Sequence, residues 1–176
     1  YRAQLVLGAS STTFDPEGII TPTVPLPLAP SAQDIERVLD QFRGGYDQRA
    51  PLFSAKKRDG VPLYRLARRG KAQEEMRPIK HVIISELIVE DYQWPFLDLR
   101  IRCGSGTYIR SLADDIGEIL RTGAYVRTLR RTKIDHFSLI QAISWDPIPS
   151  REEIRQALIP VKENPDNLLD RAEKPC

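Results

Sequence analysis

Cysteine is nearly absent from this 176-residue chain: Cys103 and Cys176 are the only two, and the second is the last residue. Two thiols so placed supply no disulfide framework, which points to a reducing, intracellular setting. The two histidines, His81 and His136, stand alone without metal-ligand spacing, so no metal site is expected. No long apolar run exists. The most apolar stretch, Val82 to Val89, is broken by Ser85 and Glu86, so no membrane span is expected. The N-terminus has no basic–apolar–small pattern of an export signal. Methionine occurs once, at Met76, and Tyr1 already sits in a strand pattern, from which a fragment lacking upstream sequence is expected.

Net charge is also scarce, at a formal +2, but it is unevenly distributed. Between Arg49 and Lys71 eight cations face one acid, Asp59; between Arg121 and Asp135 five cations face one acid. Charge gathered in two blocks suits a polyanion, because each neutralised phosphate releases a counterion. With 41% apolar and 28% charged residues, the rest reads as an ordinary globular domain.

Periodicity divides the chain into strands and helices. Tyr1 to Leu7 alternates as a half-buried strand, and the prolines of 21–30 read as an extended connector. Ser31 is an N-cap for a helix carrying Ile35, Val38, Leu39 and Phe42, stopped at Gly44-Gly45. A hairpin-like break falls at Asp59-Gly60, followed by a short helix from Leu63 to Arg69. His81–Glu90 reads as one strand, and Leu97 to Cys103 as its hairpin partner. Gly104-Ser105-Gly106-Thr107 opens a helix whose face is Ile109, Leu112, Ala113, Ile116 and Leu120, with Gly123 as stop. Tyr125 to Lys133 is expected to be a strand, and Arg151 to Leu158 a helix capped by Ser150 and Glu153. Mixed elements with an antiparallel hairpin predict an α+β fold. The expected division is a domain over 1–145 and a short helix with a polar tail over 146–176.

The stretch most loaded with chemistry is Gly106-Thr107-Tyr108-Ile109-Arg110-Ser111-Leu112, followed by Asp114-Asp115-Ile116-Gly117. A glycine-rich turn feeding a helix lets backbone N–H groups approach an anion. Arg110 in the first turn can pair a carboxylate, and Tyr108 can stack on a base. Asp114 and Asp115 are expected to cap or pair locally.

These residues resemble the GTYIRSLxxDxG signature of the TruB family of tRNA pseudouridine synthases. Further stretches match in the family's order: Tyr1-Arg2-Ala3 with Leu7-Gly8; Phe14-Asp15-Pro16-Glu17-Gly18; Phe42-Arg43-Gly44 with Gln48; Phe53-Ser54-Ala55-Lys56-Lys57; Ala67-Arg68-Arg69-Gly70; and Leu129-Arg130-Arg131-Thr132. The resemblance implies a mixed, mainly antiparallel pseudouridine-synthase sheet flanked by helices and incomplete at the N-terminus. It implies isomerisation of a T-loop uridine (position 55) of tRNA, without metal or organic cofactor, by a cytoplasmic monomer with no obligate protein partner. The family's nucleophilic aspartate lies in a G-x-L-D-P loop that would precede Tyr1 and has no counterpart here; Asp15-Pro16 belongs to a later turn and is not taken as its substitute.

By the same resemblance Tyr1 stacks on the target base and takes part in proton transfer. Tyr108 and Leu129 contact the nucleotide, and Arg110 pairs with the catalytic aspartate. Lys56, Lys57, Arg58, Arg68 and Arg69 are expected to contact RNA phosphates, which position without reading sequence. Ala50, Phe53 and Gly104-Ser105 depart from the usual pattern, the last removing a lysine at the loop. No PUA-type RNA-binding domain is evident after residue 146. The alternative from a different class is a non-catalytic tRNA-binding module that has lost the nucleophile.

Overall fold

A computed structural model describes residues 1–25, 28–58 and 60–158. The chain divides into two compact units, Tyr1–Thr132 and Lys133–Cys176. The first begins with β1 (Arg2–Leu7), β2 (Ala9–Ser11), β3 (Ile20–Pro22), α1 (Ala32–Leu39) and β4 (Tyr46–Arg49). It continues with β5 (Lys57–Arg58), β6 (Val61–Pro62), α2 (Leu63–Arg68), β7 (Ile79–Val82), β8 (Ile84–Gln93) and β9 (Phe96–Cys103), and ends with α3 (Ile109–Ile119) and β10 (Ala124–Arg130). The second unit holds β11 (Lys133–Ile134), β12 (Phe137–Ser138) and α4 (Arg151–Ala157). Among the described residues no helix is long and apolar enough to cross a membrane.

The central sheet has the order β10-β1-β9-β8, every neighbour antiparallel. Alternation in β1 and β9 sends Ala3, Leu5, Leu7, Leu97, Leu99 and Ile101 into one core. Helices α1 and α3 close it with Ile35, Val38, Leu39, Ile109, Leu112 and Ile116. Ser31 caps α1 as expected, and the structure adds a capping box with Asp34; Ser150–Glu153 starts α4 with the box that its spacing predicts.

Three differences from the sequence reading have local causes. The strand expected over His81–Glu90 is two strands, interrupted at Ile83. The Ile83 carbonyl there accepts the Gly104 N–H at 2.9 Å, so β7 pairs with β4 while β8 joins the central sheet. The connector begins later than the prolines suggest, since Thr21 and Pro22 pair with β2; Pro22 sits at a strand end. Helix α3 ends at Ile119, with Arg121 already left-handed (φ 57°) before Gly123 (φ 66°). The reading of a break at Asp59-Gly60 agrees with the β5–β6 pair and with Gly60 at φ 79°; Asp59, like the polar tail after Pro160, lies outside the described residues.

Candidate nucleotide site at the head of helix α3

Tyr108 is the N-cap of α3, yet no side chain caps the helix. Its backbone is instead held from another strand. The Tyr108 N–H donates to Gln48 Oε1 at 2.7 Å, and Gln48 Nε2 donates to the Tyr108 carbonyl at 3.0 Å. Gln48 is 2% exposed and also donates to the Tyr46 hydroxyl at 2.5 Å. Tyr46 in turn donates to Asp115 Oδ2 at 2.8 Å, and its ring meets Phe42 edge-on at 4.8 Å. Asp115 therefore pairs across the fold and not locally as its place in the helix suggested. Burial raises the Asp115 carboxyl above its usual range, and the Tyr46 hydrogen bond opposes that rise. Burial and the neighbouring carboxylate push the Tyr46 hydroxyl well up, keeping it a donor.

This clamp makes Gln48 a large contributor to local order. Gln48→Leu strips the Tyr108 N–H of its partner in a buried position, which costs about 1–3 kcal/mol. The expected result is a matching loss of unfolding free energy in urea. An unchanged midpoint would mean that the Tyr108 backbone finds another partner.

Two residues further on, Arg110 draws three segments together. Its Nη1 donates to the Thr13 carbonyl at 3.1 Å and to Asp15 Oδ2 at 2.8 Å; its Nη2 donates to the Phe53 carbonyl at 3.0 Å. Asp15 is prepared for this: its Oδ1 accepts from Thr13 Oγ1 at 2.5 Å and from the Glu17 N–H at 3.1 Å. The side chains of Arg110 and Asp15 are 26% and 18% exposed, so the pair is sheltered without being sealed. A guanidinium carries five N–H donors. The three bonds leave Nε–H and one Nη2–H available for a second acceptor.

Across the sheet, Tyr1 is half-buried. Its amino group donates to the Ile101 carbonyl at 2.8 Å, and the Arg131 guanidinium lies 4.8 Å over its ring. Burial raises the Tyr1 hydroxyl above its ordinary value; the Arg131 charge works against that. Leu129 is 45% exposed, although a leucine in a strand is ordinarily core. A bulge sets the face on which it stands. Val126 faces Leu5, Thr128 faces Gln4 and Leu129 faces Ala3, so Arg127 is an extra residue in β10. The insertion turns Leu129 onto the face that Ala3 shares with Tyr1, where strict alternation from Val126 would have pointed it away.

A model of the TruB-family pseudouridylate synthase N-terminal domain matches residues 1–109, and one of the tRNA pseudouridylate synthase B C-terminal domain matches 110–175. The chain belongs to the TruB family. The tRNA pseudouridine synthase B of Syntrophomonas wolfei is 40% identical to this TruB chain over 185 residues, covering 100% of the chain and 60% of that protein. The synthases B of Xylella fastidiosa and Pseudomonas fluorescens Pf0-1 are 38% and 41% identical, over 96% and 84% of the chain and 53% and 47% of their own lengths. The TruB chain thus spans about half to three-fifths of these relatives. Among solved structures, a chain of a Cbf5–Nop10–Gar1 complex shares the fold at TM-score 0.60 and 23% identity, over 90% of this chain and 40% of that one.

The basic residues of the TruB chain fall into two settings. Lys57 and Arg58 lie on β5, Arg68 on α2 with its guanidinium 5.7 Å over the Tyr64 ring, and Arg69 at the end of α2; all are exposed. Lys56 is separate from them and lines a cleft that also contains Gln48 and Tyr108. Tyr108 and Arg110 thus share one helical turn, and Tyr1 and Leu129 share one sheet face. Asp15 is the partner that pattern reading passed over. Its signal was a carboxylate in a tight turn two residues after Thr13, a geometry that hydrogen-bonds its own backbone.

Proposed function

We propose that the protein isomerises a T-loop uridine (position 55) of tRNA to pseudouridine. The observation that carries this reading is the Arg110 guanidinium, fixed by Thr13, Asp15 and Phe53, with two N–H donors left for another carboxylate. An arginine held so firmly can keep an attacking aspartate ionised and aligned, since a nearby opposite charge favours the charged carboxylate. The reaction breaks the C1′–N1 bond, turns the base, forms C1′–C5 and releases the proton from C5 while N1 takes one up. No metal or organic cofactor enters that balance.

In this reading Tyr1, Tyr108 and Leu129 receive the extruded nucleotide, and Lys56, Lys57, Arg58, Arg68 and Arg69 hold phosphates of the T-arm. Extrusion costs a few kcal/mol, which aromatic contact and phosphate clamps offset. The reading requires a nucleophilic aspartate, and the family's motif for it has no counterpart within residues 1–176. The test uses the full-length protein and tRNA transcribed with uridine tritiated at C5. Release of tritium stoichiometric with the protein's turnover of one tRNA position supports the assignment. Tight tRNA binding with no release would turn the assignment to a binding module.

A further inference from the structure

Three clefts in the first unit differ in the sign of their lining. One of about 570 Å³ has Asp47, Asp114, Asp115 and Glu118 against Arg49 and Arg77. Another, of about 310 Å³, sets Glu90, Asp91 and Asp98 against Arg2 and Arg130. Both carry an excess of acid, which disfavours a polyanion. The third, about 210 Å³, is lined by Lys56 and Lys80 with no carboxylate at all, and its remaining wall includes Gln48, Gly106 and Tyr108.

Lys80 reaches this cleft through strand register. In the β4–β7 ladder Gln48 faces Lys80, whereas Asp47 faces His81. Opposed residues project to the same side, so Lys80 stands beside the glutamine that clamps Tyr108, and the Asp47–His81 pair (2.8 Å) occupies the other side. The Lys80 ammonium donates to the Ser105 carbonyl at 2.9 Å. It also packs directly on the turn: a Cβ at Gly106, itself at φ 82°, would come within 2.7 Å of Nζ. One carbonyl takes one of three ammonium donors, and two remain directed elsewhere. A lysine tied down on one side and exposed on the other loses less side-chain freedom when it meets a ligand.

We propose that Lys80, with Lys56, forms a seat for one backbone phosphate of the substrate RNA, beside the nucleotide that contacts Tyr108. This deepens the RNA-modifying reading and rests on it. Lysines act on phosphate as point charges and need no bidentate geometry, and the tyrosine wall suits the adjoining base or ribose. The seat fixes the RNA backbone next to the first turn of α3, at the place where Arg110 begins its network.

The experiment measures binding of a fluorescent T-arm hairpin to the full-length protein across a salt series. Each phosphate contact contributes roughly 0.7 to 0.9 to the slope of log affinity against log salt. Lys80→Gln is expected to make the slope shallower by part of that amount, and Lys56→Gln with Lys80→Gln, which empties the seat of its one phosphate, by the full amount of roughly 0.7 to 0.9. Lys80→Arg is expected to keep the wild-type slope. A Lys80→Gln protein with weaker binding but an unchanged slope would show that Lys80 only orders the Ser105 turn, and the seat would be withdrawn. The same holds for unchanged binding. Failure of the wild-type protein to bind the hairpin at all would instead remove the RNA reading beneath it. Thermal unfolding of each variant, expected to match wild type because Lys56 and Lys80 are exposed, separates these outcomes from misfolding.

Discussion

Arg110→Ala in the full-length protein is expected to reduce turnover by about three orders of magnitude while the T-arm affinity changes little. Asp15 Oδ2 loses its cation at 2.8 Å, and the carbonyls of Thr13 and Phe53 lose their donors. Removing one member of a buried pair costs about 3–5 kcal/mol, to be discounted here because both side chains retain some exposure. The chemical step suffers further, since the two remaining guanidinium donors are those that would hold the nucleophile. Charge-assisted hydrogen bonds are worth about 1.5–3 kcal/mol each, and each 1.36 kcal/mol is about tenfold in rate. Arg110→Lys keeps the charge but loses the fork, so it should remain severely impaired. Single-turnover tritium release and hairpin binding, measured on the same preparation, decide the matter. Equal losses in both would place Arg110 in RNA binding and end its assignment to the nucleophile.

Gly117→Ala is expected to be the most damaging single-methyl change in the first unit, destabilising by about 4 kcal/mol or more. A Cβ on Gly117 would stand 2.2 Å from the Ala124 nitrogen and 2.4 Å from the Gly123 carbonyl carbon. These are backbone atoms and have no rotamer through which to yield. They are also anchored, because the N–H groups of Thr122 and Gly123 both donate to the Gly117 carbonyl at 3.0 Å. Relief requires moving α3 off β10, which dismantles the head of the helix where Tyr108 and Arg110 reside. Gly44→Ala is the matched comparison. Gly44 lies at φ 87° with no atom within 4 Å of a Cβ, so the cost there is conformational strain of about 1–2 kcal/mol. Circular dichroism during urea unfolding should rank the two clearly. Similar midpoints would mean that α3 and β10 can separate cheaply.

Much of this organisation was legible along the chain. The caps at Ser31 and Ser150, the alternation in β1 and β9, and the glycine-rich entry to α3 are local patterns, and local backbone preferences and side-chain hydrogen bonds suffice to set them. The spacing from Gly106 to Gly117 likewise carried the family resemblance, and the family models match both halves of the chain. What strand periodicity could not reveal is where one apolar run changes sheets. Val82 and Ile84 read as continuous, yet the Gly104–Ile83 hydrogen bond divides them between β7 and β8.

The candidate site divides along the same line. Sequence alone determined that Tyr108 and Arg110 open a helix, that Asp15 sits in a tight turn and that Lys56 belongs to a basic block. Tertiary structure decided that Asp15 meets Arg110 across 95 residues, that Gln48 clamps Tyr108 across 60, and that a bulge at Arg127 turns Leu129 toward the face of Tyr1. It also decided that Lys80 leans on the Ser105 turn while His81 points away. The physical reason is range. Caps and periodicities are settled within a turn or two of backbone, whereas the partners of a buried donor are settled by which distant strands the core brings into register.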